Sequence, residues 1–235
     1  MQRRGLIQLA VVAALAALVV GAAILVSSGG DEQPAAAPPP TTATTQDEVA
    51  ELYAGIPQRG IRLGEPGAAI TLVEFADLQC PFCMQYSTQV LPSIVRDYVR
   101  SGRIAYELRI RAFLGRDSVR AAGAAAYAAG ENRLYEFADL FYRNQGLENS
   151  GYVDDAFVRA IAEQVEGLDP EAAVAAADDP LQFPLVRAGE RAAQRADSTS
   201  TPDFFVRRGS GALEPLRVQG TAPEDYAEAL DAVIG

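Results

Sequence analysis

The main feature of the hydropathy pattern is an apolar run near the start of the chain, from Leu6 to Val26. Gln8 is its one strongly polar side chain. A helix of this length crosses about 30 Å of hydrocarbon. Arginines precede the run and acidic residues follow it, so the positive-inside rule keeps residues 1–5 in the cytoplasm. We expect a single-pass anchor in the cell membrane with the remaining chain outside; a cleaved signal peptide is the alternative.

Residues 27–56 lack this apolar pattern. They are rich in Pro, Ala, Thr and Gln and contain few large apolar side chains. Such a segment buries too little surface to offset the entropy lost on ordering, and its prolines favour extended conformations. We therefore predict a flexible linker over residues 27–56. The globular domain should then occupy residues 57–235, which is long enough for one buried core.

The period of the apolar positions changes twice at the start of this domain. Residues 69–77, AITLVEFAD, form a short β-branched run that is typical of a buried strand. Apolar side chains then recur at steps of three and four up to Gly102, which predicts an amphipathic helix kinked at Pro92. Residues 103–114 again have a strand pattern. Strand, helix and strand in succession predict a βαβ unit with two parallel strands.

The rest of the domain divides into a helical part and a second part with strands. Residues 116–197 are rich in Ala, Arg and Glu and predict several helices without an intervening strand. The predicted helices are residues 118–130, 133–145, 154–166, 170–177 and 183–196. A period of two returns at 204–208 and 214–220 and predicts a hairpin around GSG. A last helix begins near Pro223.

The ionisable side chains exclude several kinds of chemistry. The chain has no histidine and no lysine, and its formal net charge is −11. Serine or cysteine catalysis that depends on an imidazole is therefore excluded, as is Schiff-base chemistry on a lysine amine. An acidic chain without a clustered basic face is also unsuited to nucleic acid. Proton transfer is left to carboxylates, thiols, tyrosines and water.

Both cysteines of the chain, Cys80 and Cys83, lie in the sequence CPFC at the predicted junction of strand and helix. Pro81 suits the first helical position because an amide hydrogen would be unpaired there. The free N–H groups and the dipole of the helix would stabilise a thiolate at Cys80, which lowers its pKa and makes it a nucleophile. Cys83, one turn later, is placed to attack a mixed disulfide on Cys80.

A structural disulfide and a zinc site are the alternatives to a redox pair. A structural disulfide that closes so short a loop removes little entropy from the unfolded chain, so it would stabilise the fold only slightly. A zinc site would need carboxylates to complete four ligands around two cysteines, which is an uncommon set. We therefore favour a redox pair and expect no metal and no cofactor.

The sequences ITLVEFADLQCPFC and STPDFFV resemble the DsbA-like branch of the thioredoxin superfamily. The resemblance covers nearly all of residues 57–235. It implies an α/β thioredoxin fold, made of a βαβ and a ββα part, with an inserted all-helical domain at about 116–197. It also implies that Thr201 and Pro202 form a loop with a cis peptide bond, which faces the disulfide and pairs with the substrate backbone. An ordinary proline at the start of a strand is the alternative.

The resemblance places a buried acid beneath the active site at Glu74. A carboxylate whose pKa is raised by desolvation would carry the proton of Cys83. The neighbouring Leu72, Val73 and Phe75 imply burial on both faces of the strand. A solvent-facing glutamate is the alternative.

Three further residues near the cysteines affect the expected chemistry. Asp77 would act on the site electrostatically, but we expect it to be a solvated strand end. Phe82 stands where strongly oxidising relatives carry histidine, so the thiolate lacks a cationic neighbour and Phe82 instead offers substrates an apolar contact. Thr201 is more similar to the corresponding residue of some reductases and isomerases.

Together these features predict a membrane-anchored, extracytoplasmic thiol-disulfide oxidoreductase. Because its domain would face an oxidising compartment, we expect net oxidation of exported client proteins with thiols. The resemblance implies a quinone-linked membrane protein as the reoxidant. A reductase or isomerase of the same fold is one alternative, and a non-catalytic binding or chaperone module held by the anchor is another.

Overall fold

The computed structural model describes residues 43–235. The strands in this part of the chain are β1 (Gln58–Arg59), β2 (Arg62–Leu63), β3 (Ile70–Asp77), β4 (Ala105–Arg111), β5 (Asp203–Arg208) and β6 (Glu214–Pro215). They form one sheet in the order β1-β2-β4-β3-β5-β6. Strands β3 and β4 are parallel, and the other neighbouring pairs are antiparallel.

The α-helices of the described residues are α1 (Ala43–Tyr53), α2 (Pro81–Gln89), α3 (Leu91–Ile94), α4 (Arg116–Gly130), α5 (Leu134–Arg143), α6 (Asp155–Ala162), α7 (Pro170–Asp178), α8 (Pro184–Arg195) and α9 (Pro223–Ile234). A π-helix covers Val95–Val99 and a 3₁₀-helix covers Pro180–Gln182. From residue 43 onward, none of the helices combines the length and the hydrophobicity that crossing a membrane requires. The predicted anchor at residues 6–26 lies outside the described residues.

Strands β3 and β4 form the parallel pair that the sequence predicts. All eight residues of β3 are buried, because its β-branched and aromatic side chains are covered on both faces of the sheet. Leu72 and Ala76 belong to the main hydrophobic core, whereas Val73 and Phe75 pack with Ala193 of α8. The centre of the sheet is therefore fixed from both sides, and β3 leads directly to the cysteine pair.

The helix after the cysteines is shorter than the sequence predicts. Helix α2 ends at Gln89, and Pro92 lies in the separate helix α3, which is followed by the π-helix. Proline has no N–H to donate to the preceding turn, so it interrupts a continuous helix. In the π-helix the Arg100 N–H donates to the Val95 carbonyl oxygen, five residues back, at 2.9 Å. In place of one kinked helix, the chain therefore forms three short helices: α2, α3 and the π-helix.

Helix α1 corrects the linker predicted over residues 27–56, whose first part lies outside the described residues. Val49 and Tyr53 of this helix are buried in the main core. The Tyr53 hydroxyl donates to the Asp139 carboxylate of α5 at 3.1 Å. These contacts offset the entropy lost on ordering, which the composition alone does not indicate. The packed domain therefore begins before residue 57.

Helices α4 to α8 follow β4 without an intervening strand, within the helical stretch predicted at residues 116–197. Small residues let these helices pack closely. A Cβ atom on Gly123 of α4 would collide with the Ala176 carbonyl oxygen of α7, and one on Gly189 of α8 would collide with the Ile110 carbonyl oxygen of β4. Small residues at these crossing points therefore allow close approach of the backbones.

The C-terminal strands form the predicted hairpin, but the second strand is shorter than the predicted residues 214–220. Strand β6 contains only Glu214 and Pro215, paired with β5. Pro215 has no N–H to extend the ladder, which limits the strand. Helix α9 begins at Pro223, as the sequence predicts.

Candidate active site

The two cysteines lie where β3 leads into helix α2. Cys80 has an extended backbone, with φ −70° and ψ 121°, and Pro81 is the first residue of the helix. Cys83 lies within the first turn and is completely buried. Between them the ring of Phe82 projects outward, with 68% of the residue exposed. Both thiols are free, and the pair occupies the junction of strand and helix that the sequence predicts.

Cys80 is less accessible than we expected of a sulfur that another protein must reach. Only 4% of the residue is exposed. Its thiol donates a hydrogen bond to the Thr201 carbonyl oxygen at 3.3 Å. The loop that contains Thr201 therefore covers the sulfur, and a partner has to approach along this loop.

Hydrogen bonds around Cys80 favour its thiolate. The Cys83 thiol is the main cause, and together with its neighbours it lowers the pKa of Cys80 to about 6. The Thr201 side chain and the backbone N–H groups of Phe82 and Cys83 act in the same direction, while burial opposes them. The unpaired N–H groups at the start of α2 thus stabilise a negative sulfur, as the sequence predicts.

Cys83 has the opposite tendency. Burial raises the pKa of its thiol well above the ordinary value. The hydrogen bond to Cys80 and the negative charge of Glu74 raise it further. Cys83 therefore keeps its proton where Cys80 has lost its own, and the pair presents one thiolate and one thiol.

The Thr201–Pro202 peptide bond is cis, as the resemblance implies. It immediately precedes β5, which pairs antiparallel with β3 and places Asp203 beside Phe75. This pairing brings the start of β5 to the end of β3 that carries the cysteines. The register of two neighbouring strands therefore positions Thr201 against Cys80.

Glu74 is buried close to the cysteine pair, with only 2% of the residue exposed. The Tyr106 hydroxyl donates to its Oε2 atom, whereas Oε1 has no hydrogen-bond partner among residues 43–235. Burial raises the pKa of Glu74 to about 8, the Tyr106 hydrogen bond lowers it, and the charge of Cys80 raises it. The buried acid expected at this position is therefore present, and it holds its proton to a higher pH than an exposed glutamate does.

Asp77 is not the solvated strand end that the sequence predicted. Its carboxylate is completely buried and accepts four hydrogen bonds. The donors are the N–H groups of Gln79, Phe113 and Leu114, at 2.9, 3.1 and 3.2 Å, and the Ser118 hydroxyl at 2.6 Å. They replace water around the carboxylate, so Asp77 fixes the end of β3 to the β4–α4 connection.

The domain also has a cavity that lies apart from the cysteines. No three Cys, Asp or Glu side chains among residues 43–235 are grouped in a way that would hold a metal ion. A cavity of about 600 Å³ lies between α1 and the turn that joins α4 to α5, where Gln46 and Asn132 line it. It contains neither cysteine, so this cavity and the redox pair are separate features.

A family model described as Thioredoxin matches residues 58–210. The match covers more than half of the chain and includes the cysteine pair and strands β1 to β5. The chain belongs to the thioredoxin family. The predicted thioredoxin fold is thus confirmed, while the predicted anchor lies outside the described residues.

Relatives of this thioredoxin-family chain include proteins named for disulfide formation. Probable disulfide bond formation protein D of Bacillus cereus is 29% identical over 129 residues, which are 54% of this chain and 59% of that protein. Disulfide bond formation protein D of Bacillus subtilis is 23% identical over 146 residues, which are 61% of this chain and 66% of that protein. The matched stretch therefore spans about three fifths of these relatives.

Solved structures share the fold at low sequence identity. Oxidised BdbD of Bacillus subtilis has a TM-score of 0.65 and 20% identity, covering 76% of this chain and 97% of that one. DsbA of Chlamydia trachomatis has a TM-score of 0.60 and 18% identity, covering 74% of this chain and 91% of that one. These likenesses show the thioredoxin fold with its helical part.

Sequence reasoning missed polar side chains of the thioredoxin-family helical part that contact the active-site connection. The Gln79 side-chain amide donates to the Ser118 hydroxyl at 3.0 Å, and the Asn149 N–H donates to the side-chain Oε1 atom of Gln79 at 2.7 Å. The Gln145 amide donates to the Cys80 carbonyl oxygen at 3.3 Å. No motif marks these residues; the one available signal is that Gln79 directly precedes CPFC.

Proposed function

We propose that this chain is an extracytoplasmic thiol-disulfide oxidoreductase that oxidises exported client proteins through Cys80 and Cys83. The observation that carries the proposal is the contrast between the two sulfurs. The pKa of Cys80 is lowered at the start of a helix, whereas Cys83 is a buried thiol beside it whose pKa is raised. Such a pair is suited to thiol-disulfide exchange, in which one sulfur bonds to the partner and the other resolves the bond.

The proposed reaction starts from the oxidised pair. A client thiolate attacks the Cys80 sulfur, which forms a client–Cys80 disulfide, breaks the Cys80–Cys83 bond and releases Cys83 as a thiolate. The Cys83 thiolate takes up a proton, which Glu74 supplies in its acid form. A second client thiolate then attacks the client sulfur and releases the Cys80 thiolate. The client is oxidised by two electrons, and the cysteine pair is reduced by the same two electrons.

The low pKa of Cys80 supports net oxidation rather than reduction. A thiol of low pKa leaves more readily, so the client–Cys80 disulfide is easily displaced in favour of a client disulfide. Stabilising the Cys80 thiolate also stabilises the reduced pair, which makes the disulfide a stronger oxidant. In this chain the Cys83 thiol and backbone N–H groups provide that stabilisation, since Phe82 supplies no cation.

The surface next to Cys80 supports a polypeptide client. The exposed ring of Phe82 offers an apolar contact. The Thr201 carbonyl oxygen, which accepts the Cys80 thiol hydrogen in the reduced protein, would accept a hydrogen bond from the client backbone when the client binds beside Pro202. Pairing of this kind would uncover the sulfur at the moment of attack.

The proposed location and redox partner depend on the N-terminal sequence. The apolar run at residues 6–26, with arginines before it, supports an anchor that leaves the domain outside the cytoplasm. An oxidising compartment is also where disulfides persist. We propose a quinone-linked membrane protein as the acceptor that takes two electrons from the reduced pair and restores the disulfide.

Trapping in cells tests this proposal. In full-length Cys83→Ala protein the resolving thiol is absent, so mixed disulfides on Cys80 should accumulate. On non-reducing gels they should appear as bands of higher mass that disappear when a reductant is added. Mass spectrometry should identify exported proteins and a membrane reoxidant in these adducts. The matched control, Cys80→Ala with Cys83→Ala, should form no adducts.

Two results would count against the proposal. Cytoplasmic proteins as the sole adducts of Cys83→Ala would contradict the location. An equilibrium of the purified pair with glutathione that gives a reduction potential near or below that of cytosolic reductants would contradict oxidation and favour a reductase.

A further inference from the structure

Glu74 is buried among tyrosine side chains, and its hydrogen-bond partner is a hydroxyl group and not a cation. Among residues 43–235 no arginine forms an ion pair with Glu74, and the chain has neither lysine nor histidine. In the part of the chain that the structure describes, the one hydrogen bond to its carboxylate comes from Tyr106 on the neighbouring strand β4. In the parallel register Tyr106 lies beside Leu72, on the same face of the sheet as Glu74.

We propose that Tyr106 is a positioning residue that holds the Glu74 carboxylate in an ionisable state and leaves its Oε1 atom free to take the Cys83 proton. This inference rests on the proposed function, because it assigns a role in the proton transfer of the same site. Among the described residues, Tyr106 forms no hydrogen bond with either cysteine. Tyr106 acts on the reaction only through Glu74.

The bond to Tyr106 uses one carboxylate oxygen and leaves the other unpaired. Oε2 accepts the Tyr106 hydroxyl hydrogen, and Oε1 has no partner within residues 43–235. A buried carboxylate without any donor stays protonated, because burial disfavours its charged form. One donor offsets part of that penalty without competing for the second oxygen. Glu74 is thus an acid that can ionise and whose Oε1 atom has no hydrogen-bond partner among the described residues.

Groups on four elements face this carboxylate. They are Cys80, Cys83 and Tyr86 of α2 and its start, Tyr106 of β4, Tyr135 and Tyr142 of α5, and Tyr226 of α9. All of the tyrosines have a raised pKa because of burial, so they remain neutral hydroxyls at neutral pH. The cysteines are therefore the groups that exchange protons with Glu74 in this range.

One proton passes between the Cys83 thiol and the Glu74 carboxylate. When Cys83 attacks a mixed disulfide on Cys80, the Cys83 thiol transfers its proton to the Glu74 carboxylate, and the resulting thiolate forms the Cys80–Cys83 bond. The client leaves as a thiolate. In the oxidising direction the same proton returns from Glu74 to the departing Cys83 thiolate. Loss of the Tyr106 hydroxyl would raise the pKa of Glu74, since a hydrogen bond to the charged form is lost.

Tyr106→Phe tests the proposal, and Tyr226→Phe is the matched control. Both changes remove a phenol hydroxyl from a buried tyrosine that faces Glu74, but among the described residues the Tyr226 hydroxyl forms no hydrogen bond to Glu74 or to Tyr106. The first measurement is a ¹³C NMR titration of the Glu74 carboxyl carbon in the reduced protein, assigned by its loss in Glu74→Gln. We expect Tyr106→Phe to move the Glu74 midpoint upward by about one pH unit or more, and Tyr226→Phe to leave it nearly unchanged.

The second measurement is the pH dependence of resolution. Protein carrying a glutathione mixed disulfide on Cys80 should release glutathione at a rate that rises as Glu74 ionises. The acid limb of this profile should shift upward with the NMR midpoint in Tyr106→Phe. A shift of similar size in both variants, or none in Tyr106→Phe, would overturn the proposal.

The wild-type protein gives an additional test that does not depend on either variant folding. The Cζ signal of Tyr106 should titrate with the same midpoint as Glu74, because the two groups share a hydrogen. Independent midpoints would contradict the assignment. If the Glu74 midpoint shifts as expected but wild-type protein never resolves a mixed disulfide, the proposed function fails while the effect of Tyr106 on Glu74 stands.

Discussion

The thiols of Cys80 and Cys83 shift their pKa values in opposite directions although they belong to the same helical turn. Cys80 lies at the helix start, where N–H groups and the Cys83 thiol stabilise a negative sulfur. Cys83 lies deeper, where burial and the charge of Glu74 oppose ionisation. Each sulfur therefore depends on the other, since the Cys83 hydrogen that lowers the pKa of Cys80 is the one that Cys83 retains.

Removing the Cys83 thiol should raise the pKa of Cys80. The Cys83 side chain is the largest cause of the lowered value of about 6, so we expect a rise of about one unit or more in Cys83→Ala. The check is the rate of iodoacetamide alkylation of reduced protein as a function of pH, followed by mass spectrometry. Cys83→Ser keeps a hydroxyl donor and should show a smaller rise. Equal midpoints in the two variants and wild type would contradict the assigned cause.

The sequence predicted the burial of some residues of the site but not of others. Burial of Glu74 followed from its apolar neighbours on both faces of the strand, and CPFC marked the cysteine pair. Burial of Asp77 did not follow, because its donors Phe113 and Leu114 lie on a connection more than thirty residues away. A local pattern describes the strand but not the loop that the fold brings against its end.

Asp77 connects strand β3, which leads to the cysteines, with the helical part of the domain. It binds the β4–α4 connection through two backbone N–H groups and helix α4 through the Ser118 hydroxyl. Gln79 adds contacts with Ser118 and Asn149. The connection from β3 to α2 is therefore held from the side of the inserted helices and not only by the sheet.

Asp77→Asn should destabilise the protein by about 3 kcal/mol. An amide group places its own hydrogens against donors that now bind a carboxylate, so at least one buried donor loses its partner. Urea unfolding of the reduced protein measures the loss. Asp97→Asn, on the exposed side of the π-helix, is the matched control and should change the free energy of unfolding by less than about 0.5 kcal/mol. Equal effects of the two changes would contradict the anchoring role of Asp77.

Elements with a strong period of their own were predictable, and elements held by distant contacts were not. Strand β3 and the parallel pair followed from β-branched runs on either side of one helix. Helix α1 was predicted as linker because its sequence, ATTQDEVAELY, has few large apolar side chains. Its order depends on burial of Val49 and Tyr53 and on the hydrogen bond to Asp139, which is 86 residues away.

Burial of Glu74 makes the stability of the whole domain depend on pH. In the unfolded chain this carboxyl ionises near its ordinary value of 4.5, whereas in the folded domain it holds its proton up to about 8. Between these values the unfolded state has lost a proton that the folded state keeps. The free energy of unfolding therefore falls as pH rises through this window, and the loss levels off above the folded pKa.

Glu74→Gln should remove this pH dependence. The amide does not ionise and still accepts the Tyr106 hydrogen, so the variant should gain on wild type by about 1.4 kcal/mol for each pH unit between roughly 4.5 and 8. Urea unfolding of both reduced proteins at several pH values measures the difference, in which the titration of Cys80 largely cancels. Glu65→Gln, at an exposed position, serves as the matched control and should follow wild type. A constant difference between Glu74→Gln and wild type across this range would mean that Glu74 ionises in the folded protein as it does in the unfolded chain, and the acid would then be unable to hold the proton that Cys83 exchanges.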